Sequence, residues 1–427
     1  MPALYPYQIE GRDFLAARTT ALLADVQGLG KTAQAITAAD RVNARSILVL
    51  CPASARINWQ RELTTWLSDP RAVESKVVSY DKARGNEYQS LLARQWDVLI
   101  LDEAHFLKSW RAKRTRAVYG RFCTGGGLCA RAARVWALTG TPAPNDVTEL
   151  WPMLRALFPE ALNDGTGQPM DRWPFTAHYT TGRQTPYGYK VTGGKNLNEL
   201  KERLLPFMLR RRLEDVRLDL PPIRFGEVTL TNHRIPKVLK EAEAGLEGDV
   251  IREALMVGKL PGPNAAVATS TLRRLTGLAK VAPAVELITE ELTGNDSKLV
   301  VFAHHREVIN QLNEGLQPFN PCLLHGGLPE DQRQKAVDSF QNDPDARVFI
   351  GQLTAAGTAL TLTAASSVLF LEYSWTPSDN QQAAKRCHRI GQDNPVLVRF
   401  VSLSGSLDEQ ITRVAKAKTE TLSQVIA

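Results

Sequence analysis

At 427 residues, 43% hydrophobic and 23% charged, the sequence is long enough for two or three ordinary domains and too apolar for a disordered chain. Fifty-two Lys and Arg against 45 Asp and Glu leave a net charge of +7, which suits a phosphate-rich partner without requiring one. Five scattered cysteines without metal-finger spacing argue against a structural metal, and the absence of a secretory start or an uncharged apolar run of membrane length argues against a membrane protein. A cytoplasmic location is expected, or a nuclear one in a eukaryote.

Short apolar runs at residues 20–24, 47–51, 77–80, 97–101 and 135–138 alternate with helical stretches, the pattern of a parallel sheet covered on both faces. Residues 152–189 lose this periodicity. Residues 197–216 read as a basic helix that Pro221-Pro222 terminates. Residues 235–292 read as mainly helical, and a second series of apolar runs follows at 299–303, 322–324, 348–351, 368–372 and 396–401. The expected organisation is α/β in two lobes: 1–220 with a helical insertion near 150–216, and 221–427 with one near 235–292.

The first run leads into Asp25-Val26-Gln27-Gly28-Leu29-Gly30-Lys31-Thr32 and then a helical stretch. A strand, glycine loop and helix in that order hold phosphate. Gly28 and Gly30 permit close backbone approach, Lys31 reaches the terminal phosphates and Thr32 binds Mg2+. The strict pattern has glycine where Asp25 stands, and a ligand-free glycine turn is the competing reading. Asp102-Glu103-Ala104-His105 ends the run 97–101, where open α/β sheets place their ligands. Asp102 suits Mg2+, and Glu103 suits positioning or deprotonating a water. A solvated helix start competes, but a phosphate loop lies upstream. Thr139-Gly140-Thr141-Pro142 takes its meaning from its place in this series. Near the C-terminus Gln382, Arg386 and Arg389 stand at i, i+4 and i+7. On one helical face they would present two guanidinium groups to phosphates held by the other lobe; otherwise they mark a basic surface helix.

In order and spacing these motifs resemble those of the Swi/Snf family of helicase-superfamily-two ATPases over nearly the whole chain. DVQGLGKT, CPASARINWQREL, VSYD, DEAH, TGTP and QQAAKRCHRIGQ carry the likeness, and TAAGTALTL with FAHH resembles the annealing-helicase branch. The resemblance implies two tandem RecA-like lobes, ATP and Mg2+ as cofactors, and hydrolysis coupled to translocation along mainly double-stranded DNA. It makes Gln8 an adenine contact, Gln382 a nucleotide contact, and Ser54, Ser79, Lys108, His304, Gly326 and Thr354 DNA contacts. A cap or surface role stands beside each of those six. Arg210-Arg211-Arg212 is either a phosphate patch, the favoured reading, or a solvated helix face, and Trp59 and Trp66 read as core. Val26, Gln27, Lys385 and Ala359 depart from the family pattern without removing a phosphate, metal or water ligand. A strand-separating DNA or RNA helicase and an ATP-gated DNA-binding clamp are the alternative functions.

Overall fold

The computed structural model describes residues 2–143, 146–163, 167–185, 188–212, 214–216, 220–231, 235–244, 263–353, 360–375 and 377–426. Thr354 and Ala359 lie outside the described residues. The chain divides into two compact units, Met1–Arg217 and Leu218–Ala427. Each is built on its own six-stranded sheet.

In the first unit the strands are β1 (Thr20–Leu23), β2 (Ser46–Cys51), β3 (Glu74–Ser79), β4 (Trp96–Asp102) and β5 (Ala132–Leu138). A hairpin of β6 (Thr180–Thr185) and β7 (Gly188–Gly194) precedes the last sheet strand, β8 (Met208–Leu209). The sheet order is β3-β2-β4-β5-β1-β8, and every pairing within it is parallel. Runs such as Ile47–Cys51, fully removed from water, have no polar alternation because helices cover both faces.

The expected helix over 197–216 is shorter and different in kind. Leu197–Leu204 is helical, and the chain then runs along β1. Leu22, Ala24 and Val26 donate their amides to the carbonyls of Phe207, Leu209 and Arg211 at 2.8, 2.7 and 3.1 Å. The open edge of β1 satisfies its backbone groups this way, and that requirement overrides the local helical pattern.

The second unit contains β9 (Ile223–Leu230), β10 (Leu299–Ala303), β11 (Cys322–Leu324), β12 (Val348–Gln352), β13 (Ser367–Phe370) and β14 (Val396–Leu403), all parallel in the order β11-β12-β10-β13-β14-β9. β9, absent from the expected strands, pairs with β14 from Ile223↔Val396 to Leu230↔Leu403. Helices Lys237–Ala244 and Pro263–Thr293 follow it. Among the described residues no helix is long and apolar enough to cross a membrane.

Lys280, on the helix Pro263–Thr293, is almost wholly buried. Its Nζ donates to the carbonyls of Leu371 (3.1 Å) and Val401 (2.7 Å) and pairs with Asp408 Oδ2 at 2.6 Å. Asp408 also accepts from the Leu403 amide at 3.0 Å. One ammonium thus ties a helix to the ends of two strands and to the helix Asp408–Ile426. Removing one partner of a buried pair leaves an uncompensated charge, at about 3–5 kcal/mol. Lys280→Ala is expected to lower the stability of the second unit by that amount in denaturant unfolding, and Lys280→Met with Asp408→Leu to recover most of it. A double variant no more stable than the single would show that charge pairing is not what this contact contributes.

Candidate active site

Each motif of the first unit leaves the carboxyl end of a strand, so strand order decides which motifs meet. β5 lies between β1 and β4. Thr139 and Gly140 therefore fall between the phosphate-type loop after β1 and the carboxylates at the end of β4.

The loop gets its shape from two left-handed glycines, Gly28 (φ 97°) and Gly30 (φ 71°), the latter capping the helix Lys31–Arg41. At Gly28 the requirement is conformational alone, since a Cβ there would meet nothing within 4 Å. At Gly30 it is also steric: a Cβ would sit 2.4 Å from Gln8 Nε2. Buried Gln8 donates to the Leu29 carbonyl at 3.3 Å and accepts from the Tyr5 amide at 3.0 Å. It braces the loop from beneath. Lys31 Nζ reaches across the loop to the carbonyls of Asp25 (2.8 Å) and Val26 (3.3 Å), and Thr32 follows in the first helical turn.

Asp25, where the strict pattern has glycine, is fully buried and held by Arg211. The guanidinium Nε and Nη2 reach Oδ1 and Oδ2 at 3.0 and 2.6 Å, and the Arg211 amide adds a bond at 3.1 Å. The same guanidinium reaches the Tyr7 carbonyl, Glu10 at 3.1 Å and Gln34 Oε1 at 2.8 Å. Arg211 is therefore neither a phosphate patch nor part of a solvated helix face, which corrects the expectation for that residue; Arg210 and Arg212 are exposed. Gly11 makes room for it, since a Cβ there would lie 1.7 Å from Gln34 Oε1 and 2.6 Å from Arg211 Nη2.

Asp102 ends β4 with its carboxylate held by the Trp59 indole N–H (2.8 Å, to Oδ2) and the Glu103 amide (3.0 Å, to Oδ1). Tyr80 OH donates to its carbonyl at 2.7 Å. Burial, and then the charge of Glu103, push the Asp102 pKa up to about 6; the Trp59 bond and Lys31 oppose the shift. Two adjoining carboxylates, one raised in this way, fit a hard divalent cation such as Mg2+, with Thr32 and Asp102 to hold it. Glu103 is in the left-handed region (φ 48°, ψ 51°), a conformation that costs a non-glycine residue about 1–3 kcal/mol and concentrates at functional sites. His105 Nδ1 lies 3.2 Å from Glu103 Oε2 and 3.1 Å from Thr139 Oγ1. Thr139 Oγ1 in turn accepts from the Thr141 amide at 3.2 Å. A Cβ on Gly140 would stand 3.2 Å from the Gln27 amide, so this segment lies against the loop.

Trp59 is buried as expected, but its hold on Asp102, and that of Tyr80, are contacts that the sequence did not reveal. Nothing in local spacing links a tryptophan to a carboxylate 43 residues later. Trp66, expected in the core, is only half-buried and donates to Glu62 at 2.7 Å.

Of the expected DNA contacts in this unit, Ser54 sits half-buried in the turn after β2. Lys108 follows the β4 motif and pairs with Glu149 at 2.9 Å. Ser79 is buried, and its Oγ accepts from the Lys82 amide as a helix cap, which occupies it inside the fold. In the second unit the Gln352 side chain joins two others: it accepts from the Gly326 amide at 2.9 Å and donates to the His304 carbonyl at 3.0 Å. Burial, and then Arg273, lower the His304 pKa.

Gln382 lies on the helix Pro377–Ala384, but that helix stops before Arg386 and Arg389. The three do not share one helical face. The helix gives way because Gln392 Nε2 donates to the carbonyls of Thr363, Ala365 and Cys387 at 3.2, 2.9 and 3.0 Å, and the Arg386 carbonyl accepts from Leu362 at 2.9 Å. Arg386 is buried, and Arg389 Nη1 donates to the Leu360 carbonyl (2.8 Å) and Thr361 Oγ1 (3.1 Å). Tertiary bonds, not a continuing helix, hold the backbone at Arg386 and the side chain of Arg389.

A model described as the SNF2-related domain matches residues 7–85 and 72–230, together more than half of the chain, and the helicase conserved C-terminal domain matches 279–391. The Drosophila melanogaster SWI/SNF-related matrix-associated actin-dependent regulator of chromatin subfamily A-like protein 1 is 31% identical over 99% of this chain and 56% of its own length. The human DNA annealing helicase and endonuclease ZRANB3 is 30% identical over 95% of this chain and 39% of its own length. The chain thus spans about half the length, or less, of these relatives. The solved Sulfolobus solfataricus SWI2/SNF2 ATPase core in complex with dsDNA aligns over 100% of this chain and 93% of its own, with 24% identity and a TM-score of 0.44. At that score the fold assignment rests on the strand order.

Two tests follow from this geometry. Asp102 has a folded-state pKa above its unfolded value of 3.8, so the native state binds more protons between pH about 4 and about 6 and stability falls as pH rises through that window. At neutral pH the ionised group is a net cost to folding. Asp102→Asn is expected to unfold later than the parent at pH 7.5 without nucleotide, by on the order of 1–2 kcal/mol, while losing hydrolysis; a less stable variant would refute the assignment. Gly11→Ala should displace Arg211 and weaken ATP binding, read by titration with a fluorescent nucleotide. Parental affinity would show that the Arg211 cluster does not hold the loop.

Proposed function

This chain belongs to the SNF2-related family of helicase-like, nucleic-acid-dependent ATPases, and we propose that it couples ATP hydrolysis to movement along double-stranded DNA. The observation that carries this reading is the His105 bridge between Glu103 and Thr139, on a segment lying against the Lys31 loop. It joins the group that handles water to the loop that handles phosphate.

In this reading the loop amides and Lys31 bind the phosphates of ATP, Gln8 keeps the loop in place, and Thr32 and Asp102 hold Mg2+. A Mg2+ ion held by Thr32 and Asp102 would supply positive charge against the charge developing on the phosphates. Glu103 orients the attacking water and takes its proton. Arg386 and Arg389 supply further positive charge to the transferred phosphoryl group. Relatives named for DNA annealing and chromatin regulation support DNA as the track, as does the +7 net charge. Ser54, Lys108, His304 and Gly326 suit backbone contacts that position without reading sequence.

Phosphate release measured with and without duplex DNA, beside displacement of a triplex-forming strand, tests this. Duplex should stimulate turnover and the third strand should be displaced. Glu103→Gln should lower kcat by about 10²–10⁴-fold, Arg389→Ala by about 10³–10⁵-fold, and Lys31→Ala should abolish turnover, each with duplex affinity largely kept. Forked-duplex unwinding without triplex displacement would replace translocation by strand separation, and a flat response to every nucleic acid would remove the motor.

A further inference from the structure

The first unit carries a second concave surface that none of the ATP-site residues lines. A cleft of about 550 Å³ opens beside Lys108, walled by Trp110, Arg111, Arg172, Trp173 and Tyr189. It adjoins another of about 360 Å³ that shares Trp110, Arg172 and Trp173 and adds Phe122. Trp173 is 55% and Phe122 58% exposed. Trp173 meets Tyr189 edge-on, with centroids 5.2 Å apart and planes at 87°. The Arg111 guanidinium lies 5.1 Å from the Trp110 ring and that of Arg121 5.2 Å from Phe122.

Large aromatics left in water cost free energy unless something covers them, and the charges around them select what. The two acids of the larger cleft are engaged: Glu149 with Lys108 at 2.9 Å, and Asp146 as the cap of the turn at Thr148. Arg111 and Arg172 are exposed and, among the described residues, in no ion pair. Aromatic faces interleaved with free guanidinium groups are how proteins receive a nucleotide: the base stacks on the ring and its phosphate meets the cation. A base within a duplex is already stacked and paired, so it cannot enter without unpairing.

We propose that this cleft stacks an unpaired base of the nucleic-acid strand whose backbone passes Lys108. The proposal rests on the reading of the chain as a nucleic-acid-dependent ATPase with Lys108 as a phosphate contact. It adds a preference for DNA with single-stranded character, set by Trp173.

The test uses the full chain with a blunt duplex and with the same duplex extended by a single-stranded tail containing 2-aminopurine. Stacking should quench the 2-aminopurine, and the tail should strengthen binding. Trp173→Ala should abolish the quench and erase about 5- to 150-fold of tailed-duplex affinity, the range that stacking on one aromatic gives, with blunt-duplex affinity and stimulated turnover unchanged. Trp173→Phe should keep most of the quench. A tail that binds no better than the blunt end, a quench that survives Trp173→Ala, or an equal loss on both substrates would overturn the proposal, the first in favour of a protein segment in the cleft. Because the quench is read without turnover, its presence where no nucleic acid stimulates hydrolysis would sustain the cleft and overturn the motor instead.

Discussion

The buried pairing of Arg211 with Asp25 is the constraint on which the first unit's chemistry depends. An ion pair this far from water contributes little net stability on its own, because desolvation cancels much of the attraction. What it contributes is position. Arg211 reaches Asp25, Gln34, the Tyr7 carbonyl and Glu10, so the last pass of the chain along the sheet, the root of the phosphate loop and the helices Pro6–Ala16 and Lys31–Arg41 meet at one guanidinium. A planar fork with five donors suits that task in a way that a lysine would not. It also explains Asp25: loop geometry left that position free of the usual glycine, and the carboxylate anchors the loop where glycine could not.

From that anchor, strand order distributes the chemistry. Along the carboxyl edge of β3-β2-β4-β5-β1-β8, candidate nucleic-acid residues follow β3, β2 and, at Lys108, the β4 motif, and the candidate nucleotide segments leave β4, β5 and β1. The two halves adjoin at Asp102, whose carboxylate is held by Trp59 from the segment after β2 and whose carbonyl is held by Tyr80 from the end of β3. Side chains from the candidate nucleic-acid segments thus touch the proposed metal ligand directly. A shift in one segment on contact with a strand has a short physical route to the carboxylates, through one indole hydrogen bond.

In the second unit, cross-links substitute for regular structure. Gln392 and Arg389 join the segment 360–365 to the segment after the helix Pro377–Ala384 through four hydrogen bonds. Glu372 performs the same service at the sheet edge. Burial alone would raise its pKa, but the His305 ring and the amides of His304 and His305 outweigh that and hold it low. Gly277 leaves it space, since a Cβ there would stand 2.5 Å from its carboxylate.

The sequence by itself determined the two α/β lobes, ten of the sheet strands to within a few residues, and the order of the motifs, because continuous apolar runs and glycine loops are local signals that a packed parallel sheet cannot do without. It left β8 and β9 unseen, since one is two residues long inside a basic stretch and the other looks like a linker until β14 is there to pair with it. Only the tertiary structure decided that Arg211 is an internal anchor, that Trp59 holds Asp102, and that Arg386 and Arg389 lie beyond their helix. Each of these depends on a partner tens to nearly two hundred residues away. Local spacing carries no information about such a partner; strand order and burial do.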